Sequence, residues 1–244
     1  MTSPPDDHPS EISRSLLRSP WFASLPRELQ AALQARGVCR AFAPGERIFS
    51  RGDAPCGLYT VLDGAVRITA FSEHGKEAIL TLIEAPQWFG EITLFDAGTR
   101  THDARAEPST RLWQIPQAAL NQLLQARPDY WQHFGRLLTE KLRLAFIALE
   151  DAALYPAPVR LARRLLQMSQ SGVTGDNAGT RTSLALPQEV LGAMLGISRQ
   201  TTNQILRDLE AQGLITLSRS MITLVDLPGL RTMASLPDKS NRGG

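Results

Sequence analysis

Apolar and polar positions divide the chain into segments of different period. From Leu16 to Ala35, the residues Leu16, Leu17, Phe22, Leu25, Leu29, Ala32 and Leu33 recur at helical spacing and break near Pro26, predicting one or two short helices. Between Cys39 and Pro116 the period shortens. Arg47–Phe49, Leu58–Leu62, Ala65–Phe71, Ala78–Ile83 and Thr110–Ile115 have β texture, punctuated by Pro44-Gly45, Gly52-Asp53, Asp63-Gly64 and Gly75. Strands this short, with turns this frequent, predict an antiparallel sandwich or barrel. Gln87–Arg100 interrupts the pattern with only a helical turn after Gly90, and such an insertion is a candidate functional loop.

Helical spacing returns at Pro116–Ala126, and Pro128 stands at the first turn of a long helix that runs to Leu154. Within it Leu138, Leu142, Ala145, Leu149 and Ala152 step by four and three residues, a heptad seam suited to two helices packed along their length. The same residues could face the chain's own β domain, and Leu137, Leu144 and Phe146 supply a second apolar flank. A homodimer is the more economical expectation. Tyr155-Pro156-Ala157-Pro158 ends the helix and predicts a hinge. Val159–Gln170 is a further amphipathic helix, and Ser171–Thr182 is a glycine-bearing loop.

Leu184–Gly213, LALPQEVLGAMLGISRQTTNQILRDLEAQG, predicts two short helices around a tight turn. Pro187 suits a first turn, and Leu191, Met194 and Leu195 give one apolar face. Gly196 suits a left-handed end, Ser198 can cap the next helix, Ile205 and Leu209 bury it, and Gly213 closes it. Arg199, Gln200, Asn203 and Gln204 then fall on the exposed face, with Gln188, Ser198 and Thr201 as further candidates for DNA contact. Such side chains bond base edges in a major groove. A merely solvated helix usually carries Lys/Glu pairs, whereas this one opens R-Q-T-T-N-Q. Leu214–Ser218 and Met221–Val225 predict a hairpin turned at Arg219-Ser220, a wing beside the second helix.

Charge refines the picture slightly. Residues 157–244 hold ten Lys/Arg against six Asp/Glu, net +4, while residues 1–156 hold sixteen against eighteen, net −2. A basic C-terminal part suits a polyanion. Cys39 and Cys56 are the only cysteines, too few for a disulfide framework or a four-cysteine iron–sulfur site. The N-terminal MTSPPDDHPSEIS lacks the basic-then-apolar pattern of a leader, and no apolar run approaches about 18 residues, so a cytoplasmic protein without a membrane partner is expected.

Three motifs in order carry a resemblance: PGERIFSRGDAPCGLYTVLDGAVRI (44–68), WFGEITLFDAGTRT (88–101) and LGISRQTTNQILRDLEAQGLI (195–215). Over roughly residues 16–227 the chain resembles the CRP–FNR family of bacterial transcription regulators. The resemblance implies an α+β fold with an N-terminal antiparallel β-roll or jelly-roll of the cyclic-nucleotide-binding kind, a long dimerisation helix and a C-terminal winged helix-turn-helix. The expected division is a disordered tail (1–15), effector domain (16–127), dimerisation helix and hinge (128–156), DNA-binding domain (157–228) and a second tail (229–244). It further implies a homodimer on palindromic double-stranded DNA, with RNA polymerase as a candidate partner. In the family the positions matching Arg199, Gln200 and Gln204 read bases, and members that read a TGTGA-like half-site carry Arg, Glu and Arg there. Only the arginine is kept, so a different half-site is expected.

By the same resemblance Gly90, Glu91, Ile92, Arg100 and Thr101 form an effector cassette, with Arg100 forking onto a cyclic phosphate and Glu91 accepting from the ribose hydroxyl. Alignment through Arg127-Pro128-Asp129 places Ala145 and Phe146 where cyclic-AMP binders hold adenine; neither hydrogen-bonds a base, though Phe146 can pack on one. His102-Asp103 also replaces the usual small residues, and Glu91 pairing with Arg100 in an emptied pocket is the opposing reading. A cyclic nucleotide such as cyclic AMP is thus a candidate effector. No iron–sulfur cluster, haem or other metal is expected, and His74 reads as a solvated turn residue. No catalytic constellation stands out, so an enzyme is not expected. The alternative function is a cyclic-nucleotide-binding module that acts on protein partners.

Overall fold

A computed structural model of the chain describes residues 9–75, 77–170, 182–218 and 221–234. The chain divides into two compact units at Leu144/Ala145. That break falls inside the long helix α6 (Trp131–Leu154), which the sequence reading had set apart whole as part of 128–156.

The first unit begins with α1 (Pro9–Leu17), α2 (Pro20–Ala23) and α3 (Arg27–Arg36). Eight strands follow: β1 (Val38–Phe42), β2 (Arg47–Phe49), β3 (Gly57–Asp63), β4 (Ala65–Phe71), β5 (Glu77–Glu84), β6 (Trp88–Phe89), β7 (Asp103–Ala106) and β8 (Thr110–Pro116). They make two antiparallel four-stranded sheets, ordered β1-β8-β3-β6 and β2-β7-β4-β5. Helix α4 (Ile92–Asp96) lies between β6 and β7, α5 (Gln117–Ala126) follows β8, and a 3-10 turn at Pro128–Tyr130 leads into α6. The long helix therefore starts at Trp131, because Pro128 initiates the tighter turn first.

Strand β3 explains how the layers are held. Its alternate residues Leu58 and Leu62 join Trp21, Phe22, Trp88, Leu120 and Phe134 in a core under the helices. Tyr59 and Val61 point the other way, joining Phe49, Phe89 and Leu112 between the sheets. With both faces covered the strand is a nearly continuous apolar run rather than an alternating one. Aromatic rings lock the first core: Trp21 meets Trp88 edge-on at 5.0 Å, and Phe22 stacks on Trp88 at 5.7 Å. Each fully buried ring or leucine contributes about 1.5–3 kcal/mol of burial free energy.

Several expectations need correction. The polar N-terminal stretch is not wholly a tail: α1 occupies Pro9–Leu17, and Leu16, 1% exposed, anchors it in the helix-side core. Strand β7, Asp-Ala-Arg-Ala, went unanticipated because its buried residues are Ala104 and Ala106, whose apolar signal is weak. Strands β1 and β6 were missed too, the first because only its Cys39 and Phe42 are even half-buried, the second because it is two residues long.

The second unit contains the C-terminal part of α6, α7 (Ala157–Gln170), β9 (Ser183–Leu184), α8 (Gln188–Leu195), α9 (Arg199–Ala211), β10 (Ile215–Ser218), β11 (Met221–Leu224) and α10 (Leu227–Met233). The wing strands pair antiparallel, Ile215 opposite Leu224 through Ser218 opposite Met221. The added strand β9 makes the sheet three-stranded, ordered β10-β11-β9. The expected turn at Arg219-Ser220, most of the loop Ser171–Thr182, and the ends of both tails lie outside the described residues. The first residues of the expected C-terminal tail belong to α10 instead. Asp226 caps α10 by accepting from the Gly229 N–H at 2.9 Å, and Leu230 is fully buried. Within α6, Phe134 and Leu137 are buried in the first unit's core and Leu138 is half-buried. Leu142, Ala145, Leu149 and Ala152 are all exposed.

Candidate nucleic-acid interface and effector cassette

Pro187 precedes α8 as an extended cap residue, one position before the first turn. Val190 and Leu191 supply the core of that helix, and Met194 and Leu195 are only half-buried. Gly196 ends it with φ 66°, a left-handed conformation that would strain any residue carrying a Cβ. After one further residue, Ser198 caps α9: its Oγ accepts from the Thr201 N–H at 3.0 Å. The two hydroxyls lie 2.8 Å apart, so both hold the helix start in shape. Thr202 is fully buried, donates to the Ser198 carbonyl at 2.9 Å, and packs on Gly192, where a Cβ would come within 2.5 Å of Thr202 Oγ1. Close contact at Gly192 thus sets the two helices against each other.

Ile205, Leu206 and Leu209 bury one side of α9. Arg199, Gln200, Asn203, Gln204 and Arg207 line a single open depression on the other. Arg207 is a member that spacing alone did not single out. Gln188, at the start of α8, is half-buried. Gln204 Nε2 donates to Asp208 Oδ1 at 2.9 Å, and Glu210 Oε1 accepts from the Leu217 N–H at 2.8 Å, tying the wing to the helix. The face offers donors and acceptors on a rigid, capped helix flanked by a hairpin.

The cassette sits on β6, α4 and the turn before β7. Gly90 has φ 94°, and a Cβ there would lie 2.9 Å from both Arg100 Nη1 and the Gly57 carbonyl. Arg100, 3% exposed, donates Nη1 to the Gly90 carbonyl at 3.0 Å and Nη2 to the Gly57 carbonyl. Nη2 also approaches Cys56 Sγ at 3.1 Å, and the guanidinium lies 4.3 Å over the Phe49 ring. Neither Cys56 nor Phe49 was legible as a partner of Arg100. Tyr59 hydrogen-bonds the same sulfur at 3.1 Å, and burial pushes its phenol well above the ordinary value of 10.0.

Glu91 is 5% exposed and its Oε2 has no hydrogen-bond partner. Among the described residues no ion pair joins it to Arg100, so the pairing of the opposing reading is not the arrangement found. Lys141 on α6 feels the Glu91 charge instead: burial pulls the ammonium down, and Glu91 and then Glu140 push it back up. Ile92 and Thr101 are exposed, with Thr101 Oγ1 2.9 Å from His102 Nδ1. Phe146 is 62% exposed and belongs to the second unit.

Residues 39–127 match the cyclic nucleotide-binding domain family, and residues 159–233 match the Crp-like helix-turn-helix domain family. A CRP-like cAMP-activated global transcriptional regulator from Mycobacterium tuberculosis is 30% identical over 211 residues, covering 86% of this chain and 94% of the relative. The solved structure of a CRP/FNR-family transcriptional regulator from Thermus thermophilus is 26% identical, with TM-score 0.64 over 82% of this chain and 99% of that one. FixK2 from Bradyrhizobium japonicum, at 19% identity, shares the fold with TM-score 0.73 over 83% of this chain and 99% of its own. With both domains matched in order, and a relative matched over nearly its whole length, the chain belongs to the CRP/FNR family of DNA-binding transcription regulators.

Proposed function

We propose that this regulator acts in the cytoplasm as a homodimer on a palindromic DNA site, with Arg199, Gln200 and Gln204 reading base edges. The observation that carries the reading is the α9 face, on which five hydrogen-bonding side chains line one open surface. Arg199 suits a guanine, donating bidentately to O6 and N7; Gln200 and Gln204 suit adenine. Ser198, Thr201, Asn203 and Gln188 are the candidates for the phosphate contacts that fix the register. A dimer is supported by the heptad positions of α6, where Leu142 is 53% and Leu149 65% exposed. Two recognition helices related by a two-fold axis require an inverted repeat with half-sites about one helical turn apart. RNA polymerase is a candidate partner at the promoter. Selection from random duplex DNA by the full-length protein tests this. An inverted repeat unlike TGTGA supports it, and an unaltered TGTGA half-site or a motif without symmetry overturns it.

For the effector, a cyclic nucleotide fits the cassette best. Glu91 holds a buried carboxylate oxygen without a partner, which suits a ribose hydroxyl donor. Arg100 supplies permanent charge for the phosphate, at the cost of exchanging its bonds to the Gly57 and Gly90 carbonyls. The ligand acts by shifting the population of DNA-competent conformations. Calorimetry with cyclic AMP and cyclic GMP tests this separately: no heat from either at submillimolar ligand rejects the effector and leaves the DNA reading intact.

A further inference from the structure

We propose that Asp208 is a positioning residue for base recognition, presenting the Gln204 amide to DNA as a fixed adenine-reading edge. The inference rests on the reading above, in which Gln204 faces the major groove. Gln204 Nε2 donates to Asp208 Oδ1 at 2.9 Å, one helical turn further along α9. A carboxylate has no hydrogen to give, so this bond decides which end of the amide is nitrogen and which is oxygen.

The distinction matters because both residues are exposed. An exposed glutamine samples many rotamers and can turn its amide over, which reverses the order of donor and acceptor it offers. The bond to Asp208 spends one N–H only. Oε1 and the second N–H remain in the same plane, an acceptor beside a donor, which is what the N6 and N7 edge of adenine needs. Ordering the side chain in advance also lowers the entropy cost of immobilising it on DNA. Gln200 and Asn203, on the same surface, hold no side-chain hydrogen bond among the described residues, so Gln204 is the amide with a set polarity. The carboxylate itself works against binding, since a negative charge beside the duplex lowers affinity for every sequence. A gain in discrimination offsets that loss.

The test extends random-DNA selection with the full-length protein to Q204A, D208L and D208E, run with and without cyclic AMP, with melting temperature as the folding control. Q204A identifies the base position that Gln204 reads. D208L is expected to lose about tenfold of the adenine preference at that position and no other. D208E keeps a carboxylate with no hydrogen to give, and is expected to retain the preference. Adding D208L to Q204A is expected to change discrimination no further. A D208L protein with unchanged preference overturns the positioning role, as does equal loss in D208L and D208E. A Q204A protein with wild-type preferences at every position, or a wild-type protein that enriches no motif, instead overturns the reading beneath it.

Discussion

The guanidinium of Arg100 lies 4.3 Å over the ring of Phe49 while both of its amino groups are spent on backbone carbonyls. A permanently charged group is thus held almost fully buried with no ion pair among the described residues. Its bonds join the β6–α4 turn, through Gly90, to the start of β3, through Gly57. Arg100 therefore has a structural role in this unit.

Removing it takes the charged donor from the Gly57 carbonyl and leaves the Gly90 carbonyl only the long bond from Thr93 Oγ1 at 3.5 Å. R100A is expected to destabilise the first unit by about 2–4 kcal/mol, since orphaned buried polar groups cost about 1–3 kcal/mol each and are only partly rehydrated. R100K is expected to recover less than half, because an ammonium lacks the planar fork. Urea unfolding of the full-length protein measures both, and an R100A midpoint equal to wild type contradicts the assignment.

The exposed stripe of α6 gives an assembly prediction. Burying Leu142 and Leu149 against a second copy contributes about 1.5–3 kcal/mol per side chain. L142E and L149E together place four carboxylates in that seam and are expected to yield a folded monomer by sedimentation, with wild type a dimer. Identical sedimentation of variant and wild type contradicts the seam.

At the recognition helix, S198A removes the oxygen that accepts from the Thr201 N–H. The expected cost is about 1 kcal/mol, with S198D close to wild type because aspartate caps as well as serine. Thermal unfolding of the second unit's transition reports it, and equal loss in both variants would point to a role other than capping.

Stability should also depend on pH. His133 is buried beside Arg136; burial first, then that positive charge, hold its imidazole below the ordinary 6.5, with Asp129 opposing. Burial and then Arg51 lower His102 in the same direction. In the window between the lowered folded values and 6.5 the unfolded chain binds more protons, so stability is complete above that window and falls as pH drops through it. Melting temperature is expected to decline from neutral pH toward pH 5.5, and less so in H133F. A flat profile in wild type contradicts the shifts.

Much of this was legible in the sequence. Heptad spacing located the long helix, and Gly196 and Ser198 located the turn and cap of the helix pair, because those features depend on local backbone chemistry. Strand β7 was hidden, since its buried residues are alanines between charged neighbours. The cassette was visible as a set of residue types, yet its wiring was not. No local signal says that Arg100 turns onto the Gly57 carbonyl, forty-three residues earlier in the chain, rather than onto Glu91. Asp208 was equally silent, because a carboxylate four residues after a glutamine is common on solvated helices.

The central claim is that the α9 face reads DNA, and it is tested most directly by titrating salt against binding of the selected duplex and a scrambled one. Wild type is expected to show log affinity falling linearly with log salt on both, at a slope set by its phosphate contacts, with the selected duplex preferred throughout. R199A is expected to keep nearly that slope while losing about 1–3 kcal/mol of the preference, as a base contact should. Binding that does not weaken with salt, or an R199A protein with undiminished preference, would contradict the account.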